Sequence, residues 1–325
     1  MTGVLRHVIE SISPASPAHA EAARHNVAGA GAPILERLAA ALGGAQHTAR
    51  PRATRRTIVV CAGDHGAGDP GIALGAAHPT VIAARAIADG TAALAQVARA
   101  SATPIVLVDA GVAEPAELPA AAIRLGRGPS RDLLREPAMT VVDAALALEA
   151  GIALAVSLAD AGLDVLAVGA IGVGADVASA ALLGGAPAYR GPNDAGARAE
   201  RFGAGAAWAR GVERAGDGAL ERLAALGGPD TAVLAGLMLG AASMTVPIVL
   251  DGYATGAAAL AAAAFAPAIV GSLIAAHAGA FTHPRILAHL GLAPLFEVGL
   301  GHGEGTGAAM VLPLIDQVAS LTARG

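Results

Sequence analysis

Short apolar runs, each closed by glycine, aspartate or proline, alternate with longer alanine-rich stretches along most of this chain. That alternation predicts parallel strands joined by crossover helices, because strands covered on both faces read as near-continuous apolar runs. The expected strands are 57–62, 105–109, 165–168, 248–251 and 269–274. Helices are expected over 80–99 and 230–242, and in patches over the first 50 residues, where Pro14, Pro17 and Pro33 read as breaks. Residues 194–226 also read as helical and relatively charged. The fold class is therefore α/β: a Rossmann-like parallel sheet flanked by helices, with a small helical lobe.

Several expected strands run straight into polar or glycine-rich turns: Gly63-Asp64-His65-Gly66, Asp109-Ala110-Gly111, Gly169-Ala170-Ile171-Gly172 and Asp251-Gly252. Ligands of open parallel sheets sit beyond the carboxyl ends of the strands, so these turns should share one cleft. Neighbouring residues at a strand end point apart, so Asp64 and His65 are expected to fix a loop by hydrogen bonds rather than act as a pair. Gly172-Val173-Gly174 could offer backbone N–H groups to a phosphate at a helix start. Asp176 opposes that role unless it turns away or caps the helix.

Near the C-terminus, Gly301-His302-Gly303-Glu304-Gly305-Thr306-Gly307 holds one carboxylate between glycines ahead of an apolar run. Small neighbours let a ligand approach closely enough for Glu304 to accept a proton. The competing reading is a helix start in which Glu304 or Thr306 is merely a cap.

Composition narrows the chemistry. All 21 basic residues are arginine, which excludes a Schiff-base or P-loop lysine and leaves phosphate contacts to arginine or backbone N–H. Aromatics make up only 2%, so helices must pack through small side chains. A net charge of -5 without a basic stripe argues against nucleic-acid binding. Arg50, Arg52, Arg55 and Arg56 read as a solvated linker, and Cys61, the single cysteine, as a buried structural thiol. No secretory leader is expected, so the location is expected to be cytoplasmic. Residues 252–276 carry no charge over a length that could span a bilayer, but Pro267 divides them, and buried core is the better reading. His277, His283 and His302 are too irregularly spaced for a metal motif and read as isolated loop histidines. Asp194 reads locally as a turn and helix cap.

Seven segments in order resemble one family, the nicotinate-nucleotide:dimethylbenzimidazole phosphoribosyltransferases of cobalamin lower-ligand assembly. They are Ala62-Gly63-Asp64-His65-Gly66, Val108-Asp109-Ala110-Gly111-Val112, Arg135-Glu136-Pro137-Ala138-Met139-Thr140, the stretch from Leu234 to Ala241, the stretch from Val246 to Tyr253, Leu287-Ala288-His289-Leu290-Gly291-Leu292, and Gly303-Glu304-Gly305-Thr306-Gly307-Ala308. The resemblance implies a metal-free, cofactor-free transfer of phosphoribose from nicotinate mononucleotide to a benzimidazole-type base, with Glu304 taking the proton from the incoming base. It further implies substrate contacts at Asp64, Gly172, Gly174, Asp194, Asp251, Gly279, His302, Gly303 and Gly305. A homodimer follows, with residues 1–50 in the small lobe, 51–325 as the main domain that binds nucleotide and base, and 195–226 as a candidate addition to the lobe.

The chain also departs from that family. Its phosphate and ribose loop typically reads Gly-Glu-Met-Gly-Ile-Gly-Asn-Thr-Thr, whereas here the stretch from Gly169 to Val177 places Ala170 at the second carboxylate and Ala175, Asp176 and Val177 at the polar donors. A family lysine downstream of Asp194 is absent, with Arg198 and Arg201 as candidate substitutes. The base-pocket loop is Gly71-Ile72-Ala73-Leu74-Gly75-Ala76, a family glutamine has become apolar near Val81 and Ile82, His302 stands where leucine is common, and the stretch from His277 to Phe281 lacks the family's serine and glutamate. These changes keep open a divergent or inactive relative that binds a different base, nucleoside or nucleotide.

Overall fold

The apolar runs form parallel strands in a computed structural model that describes residues 2–28, 32–67, 71–184, 218–279, 283–297, 299–300 and 303–323. The strands are β1 (Arg56–Gly63), β2 (Ile105–Gly111), β3 (Ile123–Arg124), β4 (Val165–Ile171), β5 (Ile248–Leu250) and β6 (Leu273–Ala275). Among the described residues they make one six-stranded sheet ordered β3-β2-β1-β4-β5-β6, with every pairing parallel. The chain builds outward from β1 through β2 and β3, then crosses back to continue from β4. The order therefore reverses between β1 and β4, and the cleft of a doubly wound sheet opens at that switch point.

Alternation along the strands feeds two cores. On one face Val59 and Cys61 of β1, Val108 of β2, Leu166 and Val168 of β4 and Ile248 of β5 pack on helices Val141–Asp160, Pro229–Ser243 and Tyr253–Phe265. On the other face Ile58, Val60, Leu107, Ala167 and Val249 meet helices Pro33–Ala45, Pro79–Ala88, Ala93–Ala100 and Thr306–Thr322. The N-terminal helices join both cores, with Leu5 and Val8 on the first and Ala23, Leu38 and Leu42 on the second. Helices Val141–Asp160 and Pro229–Ser243 approach so closely that a Cβ on Gly236 would lie 1.9 Å from the Leu148 carbonyl oxygen. This is how a chain poor in aromatics fills its interior.

Some elements differ from the sequence expectation. Residues 80–99 form two helices, because the chain turns at Asp89–Ala92 with Gly90 at φ +79°. Pro17 and Pro33 begin helices rather than break them, as suits a residue without an N–H at a first helical turn. The strand expected over 269–274 is a 3-10 helix, Pro267–Ser272, followed by β6. Gly271 is used there to receive the N-terminal segment, since a Cβ on it would lie 2.7 Å from the Ala15 Cβ. The two-residue edge strand β3 is exposed and carries no apolar run to announce it. The arginine linker is pinned rather than free: Arg56 meets Asp316 at 3.0 Å and Arg52 meets Asp164 at 3.6 Å.

The uncharged stretch 252–276 is interior, with Ala257, Ala258, Ala259 and Ala262 buried. Pro79–Ala100 and Val141–Asp160 are apolar and long enough to cross a membrane by those measures alone. The first is broken by the turn at Asp89–Ala92, and the second buries Ala144, Leu148, Ile152 and Ala155 against the sheet layer while Glu149 and Asp160 stay on its outer side.

Candidate active site

The turn that carries Glu304 docks on the end of β4, beside the switch point. The Ala170 N–H donates to the Gly303 carbonyl at 3.0 Å. Gly169 lies flat under the Glu304 carbonyl, and a Cβ there would sit 2.2 Å from that oxygen. Gly305 then turns the chain at φ +107°, a conformation that suits glycine, into helix Thr306–Thr322. The Glu304 side chain is half-buried, and among the described residues none occupies its carboxylate.

Capping of that helix falls to Asp251, at the end of β5. Its Oδ2 accepts from the Gly305 N–H at 2.9 Å and its Oδ1 from the Ala308 N–H at 2.8 Å. Asp251 is fully buried, and its own N–H donates to the Thr255 hydroxyl. A carboxylate at a helix N-terminus satisfies orphan donors and gains from the dipole, so the caps considered for Glu304 and Thr306 are not needed.

Behind Asp251 stand two buried histidines. His277 Nε2 lies 3.5 Å from Asp251 Oδ1, in the hollow left by Gly307, where a Cβ would come within 2.2 Å of the His277 ring. The His283 ring meets His277 edge-on, with centroids 5.6 Å apart. Gly279 donates its N–H to His283 Nδ1 at 2.9 Å, so that nitrogen is an acceptor and the proton of the neutral ring is on Nε2. Burial, with the neighbouring His277 adding to it, lowers the His283 pKa from 6.5 to about 4. The pair is thus a core feature that supports Asp251, which corrects the reading of His277 and His283 as isolated loop histidines.

The end of β1 supplies a second set of ties. The Asp64 carboxylate, 3% exposed, accepts from the Thr80 hydroxyl, from the Ala113 N–H at 2.8 Å and from the Val173 N–H at 3.0 Å. His65 donates its backbone N–H to the Val173 carbonyl at 2.9 Å. The turn from Gly172 to Gly174 is therefore held through both backbone groups of Val173. Gly172 crosses so close to β1 that a Cβ would sit 1.7 Å from the Gly63 carbonyl oxygen. Gly174 at φ +78° opens helix Ala175–Leu183, whose first N–H groups have no intrahelical acceptor. Those backbone N–H groups are the donors that a helix start has to offer, and no lysine stands beside them.

Buried charge lies beneath this turn. His65 Nε2 approaches Asp230 Oδ1 at 3.0 Å, a close ion pair whose angle falls short of an aligned hydrogen bond. Burial opposes protonation of His65, but the carboxylates of Asp230, Asp64 and Asp176 outweigh it, and the pKa is raised. Asp176 is itself 8% exposed, so its side chain is buried rather than out in solvent. Burial, helped by Asp230, pushes the Cys61 thiol far above its ordinary pKa, which removes it as a nucleophile.

The structure thus brings Glu304, Gly303, Gly305, Asp251, Gly169 and Ala170 together, with Gly172, Gly174 and Asp64 at the adjoining strand end. Asp64 and Asp251 have their oxygens engaged inside the protein, so they hold the loops of the site instead of presenting carboxylates to a substrate. Gly279 belongs to the histidine layer behind Asp251. Asp194 and His302, along with Arg198 and Arg201, lie outside the described residues. Thr80, Asp230 and His277 are supports that the sequence reading missed; only the placement of Asp230 after Gly227-Gly228-Pro229 signalled a helix start there. Among the described residues no group of three or more His, Cys, Asp or Glu side chains is arranged to hold a metal ion.

Comparison with known proteins agrees with this geometry. A family model described as phosphoribosyltransferase matches residues 12–324. A nicotinate-nucleotide–dimethylbenzimidazole phosphoribosyltransferase of Roseiflexus sp. (strain RS-1) is 38% identical over 297 residues, covering 86% of this chain and 82% of that protein. The enzyme of the same name from Chromobacterium violaceum is 36% identical over 298 residues, covering 88% and 86%. The crystal structure of the nicotinate-nucleotide–dimethylbenzimidazole phosphoribosyltransferase of Thermus thermophilus superposes with a TM-score of 0.77 at 30% identity, over 98% of this chain and 94% of that one. This chain belongs to the nicotinate-nucleotide–dimethylbenzimidazole phosphoribosyltransferase family.

Proposed function

We propose that the protein moves phosphoribose from nicotinate mononucleotide to a benzimidazole-type base, giving an α-ribotide and nicotinate in assembly of the cobalamin nucleotide loop. The observation that carries this reading is the docking of the Glu304 turn on β4, capped by Asp251, which leaves the Glu304 carboxylate unoccupied among the described residues at the switch point.

The chemistry follows from that placement. One ring nitrogen of the base attacks the anomeric carbon of the β-nucleotide from the face opposite nicotinate; a C–N bond forms there as the bond to nicotinate breaks, with inversion to the α configuration. The proton on the other ring nitrogen passes to Glu304, so the base does not have to leave a cationic product behind. The half-buried, glycine-flanked setting lets a flat ring lie against the loop. The phosphate is held by the N–H groups that open helix Ala175–Leu183. Ala170 supplies only a methyl group where the family has a carboxylate, so Glu304 bears the proton transfer without that neighbour.

We further propose a cytoplasmic homodimer. It is supported by the family resemblance and by the exposed Val141, Val142 and Leu146 on one helix, an apolar face of the kind that partners cover. Sedimentation at micromolar protein tests the oligomer. Incubation with nicotinate mononucleotide and dimethylbenzimidazole tests the reaction: nicotinate and the α-anomer of the ribotide should appear in equal amounts, and release of nicotinate without ribotide, or no release, would reject it.

A further inference from the structure

His277 is 1% exposed, and among the described residues neither of its ring nitrogens has a hydrogen-bond partner. An apolar side chain would fill the same space without the cost of a polar group left unpaired in the interior. Packing alone therefore does not account for a histidine at this position.

The backbone around His277 carries the sheet past β6. Ala276 donates its N–H to the Leu250 carbonyl at 3.1 Å, Phe296 to the Ala276 carbonyl at 3.1 Å and Ala278 to the Phe296 carbonyl at 2.9 Å. From that platform Nε2 lies 3.5 Å from Asp251 Oδ1, the oxygen that also accepts from Ala308. Ring and carboxylate rest together on the first turn of helix Thr306–Thr322, since a Cβ on Gly307 would lie 2.5 Å from His277 Nε2 and 2.8 Å from Asp251 Oδ1. On its other side the ring meets the edge of His283 and Gly279, where a Cβ would sit 3.2 Å from His277 Cε1. Asp251 is wholly buried, so the ring, and not water, limits the tilt of its carboxylate. A tilt would lengthen one of the two bonds to Gly305 and Ala308.

We propose that His277 is a positioning residue for the transfer: its ring braces the Asp251 carboxylate so that the two oxygens cap Gly305 and Ala308 at once, and thereby sets where Glu304 stands. At 1% exposure His277 does not touch the substrate; it acts through Asp251 and the Gly305 N–H, one peptide beyond Glu304. The inference rests on the phosphoribosyl-transfer reading for what Glu304 does there, and not for the geometry of the brace.

Two substitutions separate a polar brace from a filler. His277→Phe keeps a flat ring without a nitrogen, and His277→Gln returns an amide N–H near the place of Nε2. His277→Phe should lower turnover about tenfold, a fraction of the loss tied to a misplacement of about 1 Å, with KM for nicotinate mononucleotide within about twofold. His277→Gln should regain most of that turnover. Placed on Asp251→Asn, His277→Phe should add no further loss, because the two residues act through one set of contacts. Amide hydrogen exchange needs no turnover: in His277→Phe the N–H groups of Gly305 and Ala308 should exchange about tenfold faster while those of Leu312 and Ile315 are unchanged, the mark of a local opening. Wild-type turnover in His277→Phe, no gain of His277→Gln over it, a loss that adds in full to that of Asp251→Asn, or exchange that quickens equally along the helix would each overturn the proposal. Should His277→Phe not fold, His277→Leu, which also lacks a ring nitrogen, takes its place with the same outcomes. If the wild type releases no nicotinate, the reaction reading fails, and the exchange of Gly305 and Ala308 alone decides on His277.

Discussion

Asp251 Oδ2 accepts the backbone N–H of Gly305 at 2.9 Å, across 54 residues of sequence, so the end of one strand caps the helix that follows Glu304. This long-range cap fixes the backbone beside Glu304 while leaving the Glu304 carboxylate unengaged among the described residues. Asp251→Asn would place an amide NH₂ or a single oxygen against two N–H donors. Turnover should fall about 100-fold, the scale associated with a misplacement of about 1 Å in a reacting group, while KM for the nucleotide changes little. Steady-state kinetics on both substrates checks the split.

Gly169 is a second contact that places the same loop. A methyl group at this position would meet the Glu304 carbonyl, backbone that cannot rotate aside. Gly169→Ala should therefore lower turnover while the circular dichroism spectrum stays that of the wild type. Full activity in this variant would show that the loop does not rest on β4 as described.

Asp64 joins three parts of the chain through the Thr80 hydroxyl and the N–H groups of Ala113 and Val173. Asp64→Ala removes the partner of the buried Thr80 hydroxyl and of two part-buried N–H groups and should cost about 1–3 kcal/mol in stability, the scale of one buried polar group left unpaired while water reaches the others. Urea denaturation followed by circular dichroism measures it.

Two buried histidines should give stability opposite pH dependences. His65 is raised above its ordinary value of 6.5 in the folded state, so its contribution is complete below that pH and is lost as pH climbs through the raised value. His283 is lowered from 6.5 to about 4, so the unfolded chain binds more protons between those values, and stability falls as pH drops through that window. Thermal melts of the wild type and His283→Asn from pH 4 to 7 should diverge on the acid side only; parallel curves would contradict the burial of that ring.

Much of this was legible in the sequence, and the reasons for the rest are physical. β1, β2 and β4 announced themselves because buried parallel strands need unbroken apolar runs, and their glycine and aspartate endings marked the cleft. Glu304 stood out because glycines on both sides of a single carboxylate would let a ligand approach it closely. What the sequence could not show was direction: whether Asp64, Asp176 and Asp251 turn inward or outward depends on donors such as Ala113 and Ala308 that carry no side-chain signature. The His277–His283 contact was hidden because its partners are fixed by the missing Cβ atoms of Gly307 and Gly279, not by any metal-like spacing. The strand expected at 269–274 begins only at Leu273, because Pro267–Ser272 is a 3-10 helix whose Gly271 packs against Ala15.

The proton-accepting role of Glu304 is tested most directly by the turnover of Glu304→Gln with nicotinate mononucleotide and dimethylbenzimidazole, measured as α-ribotide formed, alongside nucleotide affinity in the same preparation. Loss of turnover by about 10²–10⁴-fold, the usual contribution of a positioned general base, is expected with nucleotide affinity kept. Wild-type turnover in Glu304→Gln would contradict the assignment.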